Sequence, residues 1–416
     1  MVKIKAFKGI RPNTQDAQKI ASLPYDVLNT EEARVLGDKN SQSFLHIDKA
    51  EIDLAKEVSP YADEVYQKAA ENLQTFLQKE WLIKETTEKF YIYELTMNGR
   101  SQTGLVVCTS IDDYLNEKIK KHEFTREEKE LDRIRHVDTC DANTSPIFLT
   151  YRENQGINQL ITDWVKEHQA LYEFTSFHEV THRVWEINDT AIIQDLEDLF
   201  AAKVPYLYIA DGHHRTESAV KVGLQRRQEF PAAPENAEFN YFLSVLFPKE
   251  QLDILDYNRV VNVPISVDFL ADLAEIFTVT KVGKEIVKPE KAKTIGMYLA
   301  GDWYQLEAKS DIISEDPVAS LDVSILQEHV LTALFDIQDI RTDKRIDFVG
   351  GIRGLGELVE LVDSGAYTVA FAMYPTTMED LLNVADSGQI MPPKSTWFEP
   401  KLLSGLFVHD LESSTK

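Results

Sequence analysis

The sequence predicts an α+β protein with mixed, largely antiparallel sheets and helices packed on them. Three observations carry that expectation. Segments with apolar residues at helical spacing alternate only irregularly with strand-like runs. Pairs of aromatic and β-branched runs separated by a few residues occur at 89–111, 171–188 and 294–308, which is the pattern of hairpins and so of antiparallel pairing. No repeat at a fixed period and no low-complexity segment interrupts the chain.

The elements follow in order. Residues 61–82 place Val65, Ala69, Leu73, Phe76 and Leu77 near helical spacing. Residues 89–111 form a hairpin around Asn98-Gly99, the strongest short turn signal. Residues 145–152 are a strand, 171–188 a second hairpin, and 239–247 another strand. Helices are expected at 267–277 and 324–335, with a hairpin at 294–308 turning across Ala300-Gly301-Asp302. Residues 347–358 read as strand, glycine turn and helix, with Arg353 in the turn; the G-x-G-x-x-G order of a dinucleotide site is absent. A buried strand at 367–375 precedes a helix at 376–386, opened by a T-x-x-E capping box from Thr376 to Glu379. The stretch 248–266 is taken as a boundary, giving an N-terminal lobe 1–250 and a C-terminal lobe 251–416.

Composition excludes some functions. The 416 residues are 43% hydrophobic and 27% charged, as in ordinary globular chains. With 69 acidic against 44 basic residues the net charge is −25, which repels nucleic acid and anionic lipid. A local pocket of cations and amides can still hold a small anion. No run approaches the roughly 18 apolar residues that span a bilayer, and the start, "MVKIKAFKGI", lacks an apolar signal core. A cytoplasmic protein is expected, with Cys108 and Cys140 as reduced core residues.

The stretch "YLYIADGHHRTESAVK" (206–221) is the leading site candidate. A buried strand at 204–209 is expected to end at a polar cluster, with a helix over 216–227 burying Ala219 and Val220. Unpaired amides and the helix dipole favour an anion at such a place. Gly212 permits a tight turn and close backbone approach. Arg215 can fork onto phosphate oxygens, and His213 or His214 can exchange a proton near neutral pH. The competing reading is a helix cap by Asp211 with solvated histidines.

Two further stretches qualify. Thr125 and Glu128 suggest a capping box, with a helix starting near Arg126. Its apolar stripe is narrow (Leu131, Ile134, Val137), and Arg126, Lys129, Glu130, Arg133 and His136 suit a solvated, salt-bridged face. Just before it, His122-Glu123 places a carboxylate beside an imidazole, and a buried carboxylate can serve as a general base. Near the end, Pro392-Pro393 restrict the backbone before Lys394, Ser395 and Thr396, and Trp397-Phe398 can anchor the turn. This turn is expected to border the same cleft, with Glu123 there as well.

The blocks "LPYDVL" (23–28), "KHEFT" (121–125), "DANTSPIF" (141–148), "ADGHHR" (210–215), "DYNRVV" (256–261), "PTTMEDLLNVADSG" (375–388) and "MPPKSTWFEPKL" (391–402) resemble domain-of-unknown-function family 1015 over nearly the whole chain. More distantly, "ADGHHR" resembles the phosphate motif of ParB/sulfiredoxin-like proteins, the free-serine kinases in particular. That likeness implies a strand–turn–helix phosphate site using ATP or ADP with Mg²⁺, and a small-molecule substrate such as free L-serine. It implies catalytic roles for Glu123 as base and for Asp211 and His213, with Asp211 also on the metal. Phosphate or substrate contacts would come from Gly212, His214, Arg215, His122, Arg126, Asn143, Lys394, Ser395 and Thr396. Two alternatives stand beside this kinase-like reading. One is a metal-dependent phosphoester hydrolase using Asp211, His213, His214, His122 and His136. The other is a non-catalytic nucleotide-binding regulator.

Overall fold

The structure, a computed structural model, describes residues 1–412. The chain divides into two compact units. The first comprises Met1–Lys120, Thr125–Leu252 and the chain from Pro400 onward; the second comprises Lys121–Phe124 and Asp253–Glu399.

The first unit is organised on a mixed nine-stranded sheet. Its path runs Ile119–Lys120, Leu207–Asp211, Ile147–Tyr151, Tyr241–Pro248, Arg100–Ser110, Phe90–Met97, Thr181–Ile187, Tyr172–Thr175. Ile4–Lys5 adds beside Thr109 and Cys108, just beyond the reach of the Phe90–Met97 partner. Two pairings are parallel, Leu207–Asp211 with Ile119–Lys120 and Tyr241–Pro248 with Ile147–Tyr151; the others are antiparallel. Tyr241–Pro248 is buried at every position, which explains why it is apolar except at Ser244, whose hydroxyl bonds Thr109. The expected hairpin closes with Met97 opposite Arg100, and Asn98 (φ 52°) and Gly99 (φ 78°) take the left-handed turn geometry their residue types favour.

Helices cover this sheet. Ile157, Ile161, Leu196 and Phe200, from the Gln155–Glu167 and Thr190–Lys203 helices, pack with Ile92, Leu149, Ile209 and Phe242. The Asp63–Gln78 helix buries Val65, Ala69, Leu73 and Phe76 against Ile10, Phe44 and Val408, in a second cluster. Cys108 and Cys140 are buried and free, and burial pushes the Cys140 thiol up to about 12. Among the described residues no helix is long and apolar enough to cross a membrane.

The second unit has a wholly antiparallel six-stranded sheet, ordered Phe277–Gly283, Asp302–Ala308, Thr294–Leu299, Val369–Ala372, Tyr257–Val261, Ile346–Gly350. Val260, Trp303, Val349, Leu358 and Ala370 form its core. A short ladder joins Ile254–Leu255 to Trp397–Phe398. The capping box falls one residue later than expected: Thr377 and Asp380 bond each other's backbone amides at the start of the Met378–Asp386 helix. Thr376 is buried instead, and its hydroxyl donates to the Ser395 carbonyl at 2.9 Å.

Candidate active site

The Leu207–Asp211 strand begins three residues later than expected, because Val204 closes the preceding helix. It is buried through Ala210 and emerges at Asp211. Gly212 turns the chain at φ 100°, and an added Cβ would lie 3.1 Å from two Arg215 guanidinium nitrogens. The helix starts at His213, not Thr216, so His213, His214 and Arg215 form its first turn. The N-cap is Gly212 and carries no side-chain cap among the described residues, so Asp211 does not cap this helix. Thr216 Oγ1 donates to the Gly212 carbonyl at 3.0 Å and pins the turn.

Asp211 faces two cations. Lys401 Nζ lies 3.2 Å from one carboxylate oxygen and Arg215 Nη2 3.8 Å from the other. Burial alone would raise this carboxyl, but Lys401 and then Arg215 outweigh it and hold it at about 2. The Arg215 side chain is only 10% exposed. It donates through Nη1 to the Pro146 carbonyl, while its Nε is buried with no hydrogen-bond partner among the described residues. Burial disfavours its charge, yet Asp211, Asp26, Tyr25 and Asp48 together keep the guanidinium firmly protonated.

A pH dependence follows from Asp211. Its folded carboxyl lies below the ordinary value of 3.8, so its stabilisation is complete above that value and disappears as pH falls through about 2. Urea unfolding of wild type and Asp211→Asn from pH 6 to pH 2 is expected to show a gap of roughly 2 kcal/mol that is constant above about pH 4 and closes below it. A gap independent of pH would contradict the ion-pair origin.

The neighbouring helix, Glu127–Cys140, turns Val137 and Ile134 into a core cluster as expected, but it departs from expectation at Leu131 and on its polar side. Leu131 is 52% exposed, whereas Glu130, Asp132, Arg133 and His136 are buried. This helix packs on the Asp63–Gln78 and His213–Glu229 helices, and its buried polar side chains bond within the protein. Arg133 Nε donates to Asp132 at 2.9 Å, Tyr66 OH donates to the other Asp132 oxygen at 2.9 Å, and the Arg133 guanidinium lies 4.1 Å from the Tyr25 ring centroid. His136 Nε2 donates to the Ile47 carbonyl at 3.0 Å, and burial followed by Arg133 lowers its pKa. Beneath lies Asp48, which accepts from Thr144 (2.8 Å) and Ser145 (2.7 Å); Ser145 also bonds Ser404 at 2.7 Å. Thr125 does not cap the helix, because its hydroxyl donates to Glu130.

His214 is half-buried, and its Nε2 accepts the Arg126 amide at 3.0 Å. That bond requires an unprotonated Nε2. Burial, then Arg126 and Lys129, depress its pKa in agreement. Asn143 is buried, and its carbonyl oxygen accepts from the Leu243 amide (3.3 Å) and His409 Nδ1 (3.1 Å). It therefore braces the tail strand His409–Asp410 against its own strand.

The remaining expected residues belong to the second unit. His122 is buried, its carbonyl accepting from Met391 at 2.8 Å, and Glu123 is half-buried. Lys394 is exposed at φ 59°, with its ammonium 5.6 Å from the Tyr257 ring centroid and its carbonyl accepting from Arg259 at 3.0 Å. Ser395 is buried and donates to the Pro392 carbonyl at 2.5 Å; Thr396 is half-buried. Trp397 packs edge-on to Tyr257 at 5.0 Å. Lys401 bonds the Asp211–Arg215 turn, and Tyr25, Asp26 and Asp48 act on Arg215, although none of the four stood out in the sequence as a site residue. The only signal for them was their position: "LPYDVL" holds Tyr25 and Asp26, and "MPPKSTWFEPKL" holds Lys401.

A family model described as a protein of unknown function, DUF1015, matches residues 4–324. The chain belongs to the DUF1015 family. The matched part of this DUF1015 chain includes the Asp211–Arg215 turn and stops short of Lys394 and Lys401. No curated protein matches its sequence. Among solved structures it is similar to SbnI with a C-terminal truncation from Staphylococcus aureus: 12% identity, 72% of this chain and 85% of that one covered, TM-score 0.39. It is similar to a free serine kinase in complex with AMP: 13% identity, 73% and 91% covered, TM-score 0.36. A variant of a free serine kinase in complex with ADP gives 12% identity, 73% and 92% covered, TM-score 0.35.

Proposed function

We propose that this DUF1015 protein is a nucleotide-dependent phosphotransferase acting on a small hydroxyl compound, with free L-serine the first acceptor to test. The observation that carries the reading is the Asp211–Arg215 turn. A glycine at φ 100°, where a Cβ would press on Arg215, opens the helix, and Arg215 and Lys401 flank it with positive charge. Such a place suits the phosphates of ATP or ADP. Asp211, held ionised, is the residue to carry Mg²⁺. Catalysis would rest on positioning and charge neutralisation. His213, His214 and Arg126 would add contacts from the same helix starts. Glu123 is the base that the resemblance nominates. Roles on substrate or phosphate for His122, Asn143, Lys394, Ser395 and Thr396 are each open to alanine substitution in the same assay.

The metal-dependent hydrolase reading is weaker, because His136 Nε2 is bonded to Ile47 and His214 Nε2 to Arg126. The test is a thermal-shift series with ATP, ADP, CTP and divalent metals, followed by ³¹P NMR of phosphate transfer to L-serine. A nucleotide with Mg²⁺ at 100 times Kd is expected to raise Tm by roughly 5–10 °C. Stabilisation by metal alone would overturn the reading in favour of the hydrolase. Nucleotide stabilisation with no transfer to any hydroxyl acceptor would leave a regulatory binding protein.

A further inference from the structure

We infer that Asp26 is the carboxylate that takes the proton from the acceptor hydroxyl; this rests on the phosphotransferase reading. Five carboxylates lie around the Asp211–Arg215 turn in the first unit, and four are already engaged. Asp48 accepts from Thr144 and Ser145, and Asp132 from Tyr66 and Arg133. Glu130 is bonded by Thr125 and Lys221, and Asp211 by Lys401 and Arg215. Asp26 is exposed and has neither a hydrogen bond nor an ion pair among the described residues. A base needs a free lone pair and an open approach for its substrate, and only this carboxylate of the five offers both.

The loop holding it is fixed by elements that also build the phosphate turn. Ser22 exchanges backbone hydrogen bonds with Ser404 at 3.1 and 2.9 Å, three residues beyond Lys401, which bonds Asp211. Tyr25 lies under the Arg133 guanidinium, and the Val27 amide bonds the Pro24 carbonyl at 3.2 Å. The Asp26 carboxylate is close enough to act electrostatically on Arg215, His214 and Tyr25. In the step, the acceptor oxygen forms a bond to the terminal phosphorus of the nucleotide. The bond from that phosphorus to the bridging oxygen breaks, and its electron pair leaves on the nucleotide. The hydroxyl proton passes to Asp26.

The experiment compares wild type, Asp26→Asn, Asp26→Glu and Glu123→Gln. It measures Tm shifts with ATP or ADP and Mg²⁺, and phosphate transfer to L-serine. Asp26→Asn is expected to keep the nucleotide-induced Tm shift within about 1 °C while kcat falls 10²–10⁴-fold; Asp26→Glu should recover part of the rate. Wild type without nucleotide stabilisation or transfer would defeat the phosphotransferase reading itself, and the inference with it. An active wild type with Asp26→Asn within fivefold of it would overturn the inference alone, and loss of activity in Glu123→Gln would then give the role to Glu123. Loss of the nucleotide shift in Asp26→Asn would also overturn it, since the carboxylate would be holding nucleotide or metal.

Discussion

Arg133→Ala is expected to cost about 3–5 kcal/mol of unfolding free energy, because it strands buried charge. Arg133 is 8% exposed, bonded to Asp132 and stacked over Tyr25. Asp132 would keep the Tyr66 hydroxyl, and Asp48 would lose the favourable charge of Arg133. Burial works against the guanidinium charge, but Asp132, Tyr25 and Asp48 outweigh it and raise its pKa. Arg133→Lys should recover only part of the loss, since an ammonium reproduces neither the flat stack nor the paired donors. Asp132→Ala/Arg133→Ala should lose less than the two single changes summed, because neither charge is then left alone. Urea midpoints at constant m-value would measure this; a single-variant loss below about 1 kcal/mol would show that water replaces the pairing.

A chain ended at Glu399 is expected to lose the native first unit altogether. Leu402, Leu403, Leu406, Phe407 and Val408 are each no more than 5% exposed. Phe407 packs against Tyr91 and Tyr93 at 5.3 and 5.7 Å, and Val408 exchanges backbone hydrogen bonds with Ile10 at 2.9 and 2.8 Å. Five buried apolar side chains at roughly 1.5–3 kcal/mol each amount to about 10 kcal/mol, comparable with the whole stability of a typical domain. The truncated protein should show no cooperative transition for the first unit and rapid cleavage there under limited proteolysis. A protected, cooperatively melting fragment covering 1–120 and 125–252 would refute this. Lys401→Ala, by contrast, should leave the fold intact and alter only the surroundings of Asp211.

What the sequence disclosed depends on the range of the forces involved. The Asn98-Gly99 and Ala300-Gly301 turns were legible because both residues of each must take positive φ, a requirement decided within the turn. The strand–glycine–helix arrangement at Asp211–Arg215 was legible for the same reason, apart from its exact limits. In the Glu127–Cys140 helix Ile134 and Val137 were legible as the inward stripe, but the burial of Asp132, Arg133 and His136 was not, because that face is matched by Tyr25, Ile47 and Tyr66, which no local periodicity reveals. Thr376 and Thr377 offered two capping registers, and the bond from Thr376 to Ser395 decided between them. Lys401 was hidden by distance along the chain, since its partner Asp211 lies 190 residues earlier.

The return of the chain at Pro400 also sets an order of events during translation. The first unit lacks the segment that begins at Pro400 until the chain has been made past it, whereas Asp253–Glu399 is continuous and precedes that segment. At about 5–20 residues per second, the nascent chain up to Leu252 must wait on the order of ten to thirty seconds for residues 400–412 to be synthesised. Throughout that interval the groove around Tyr91 and Ile10 stays unfilled, and chaperones that shield apolar surface near the ribosome would find it there.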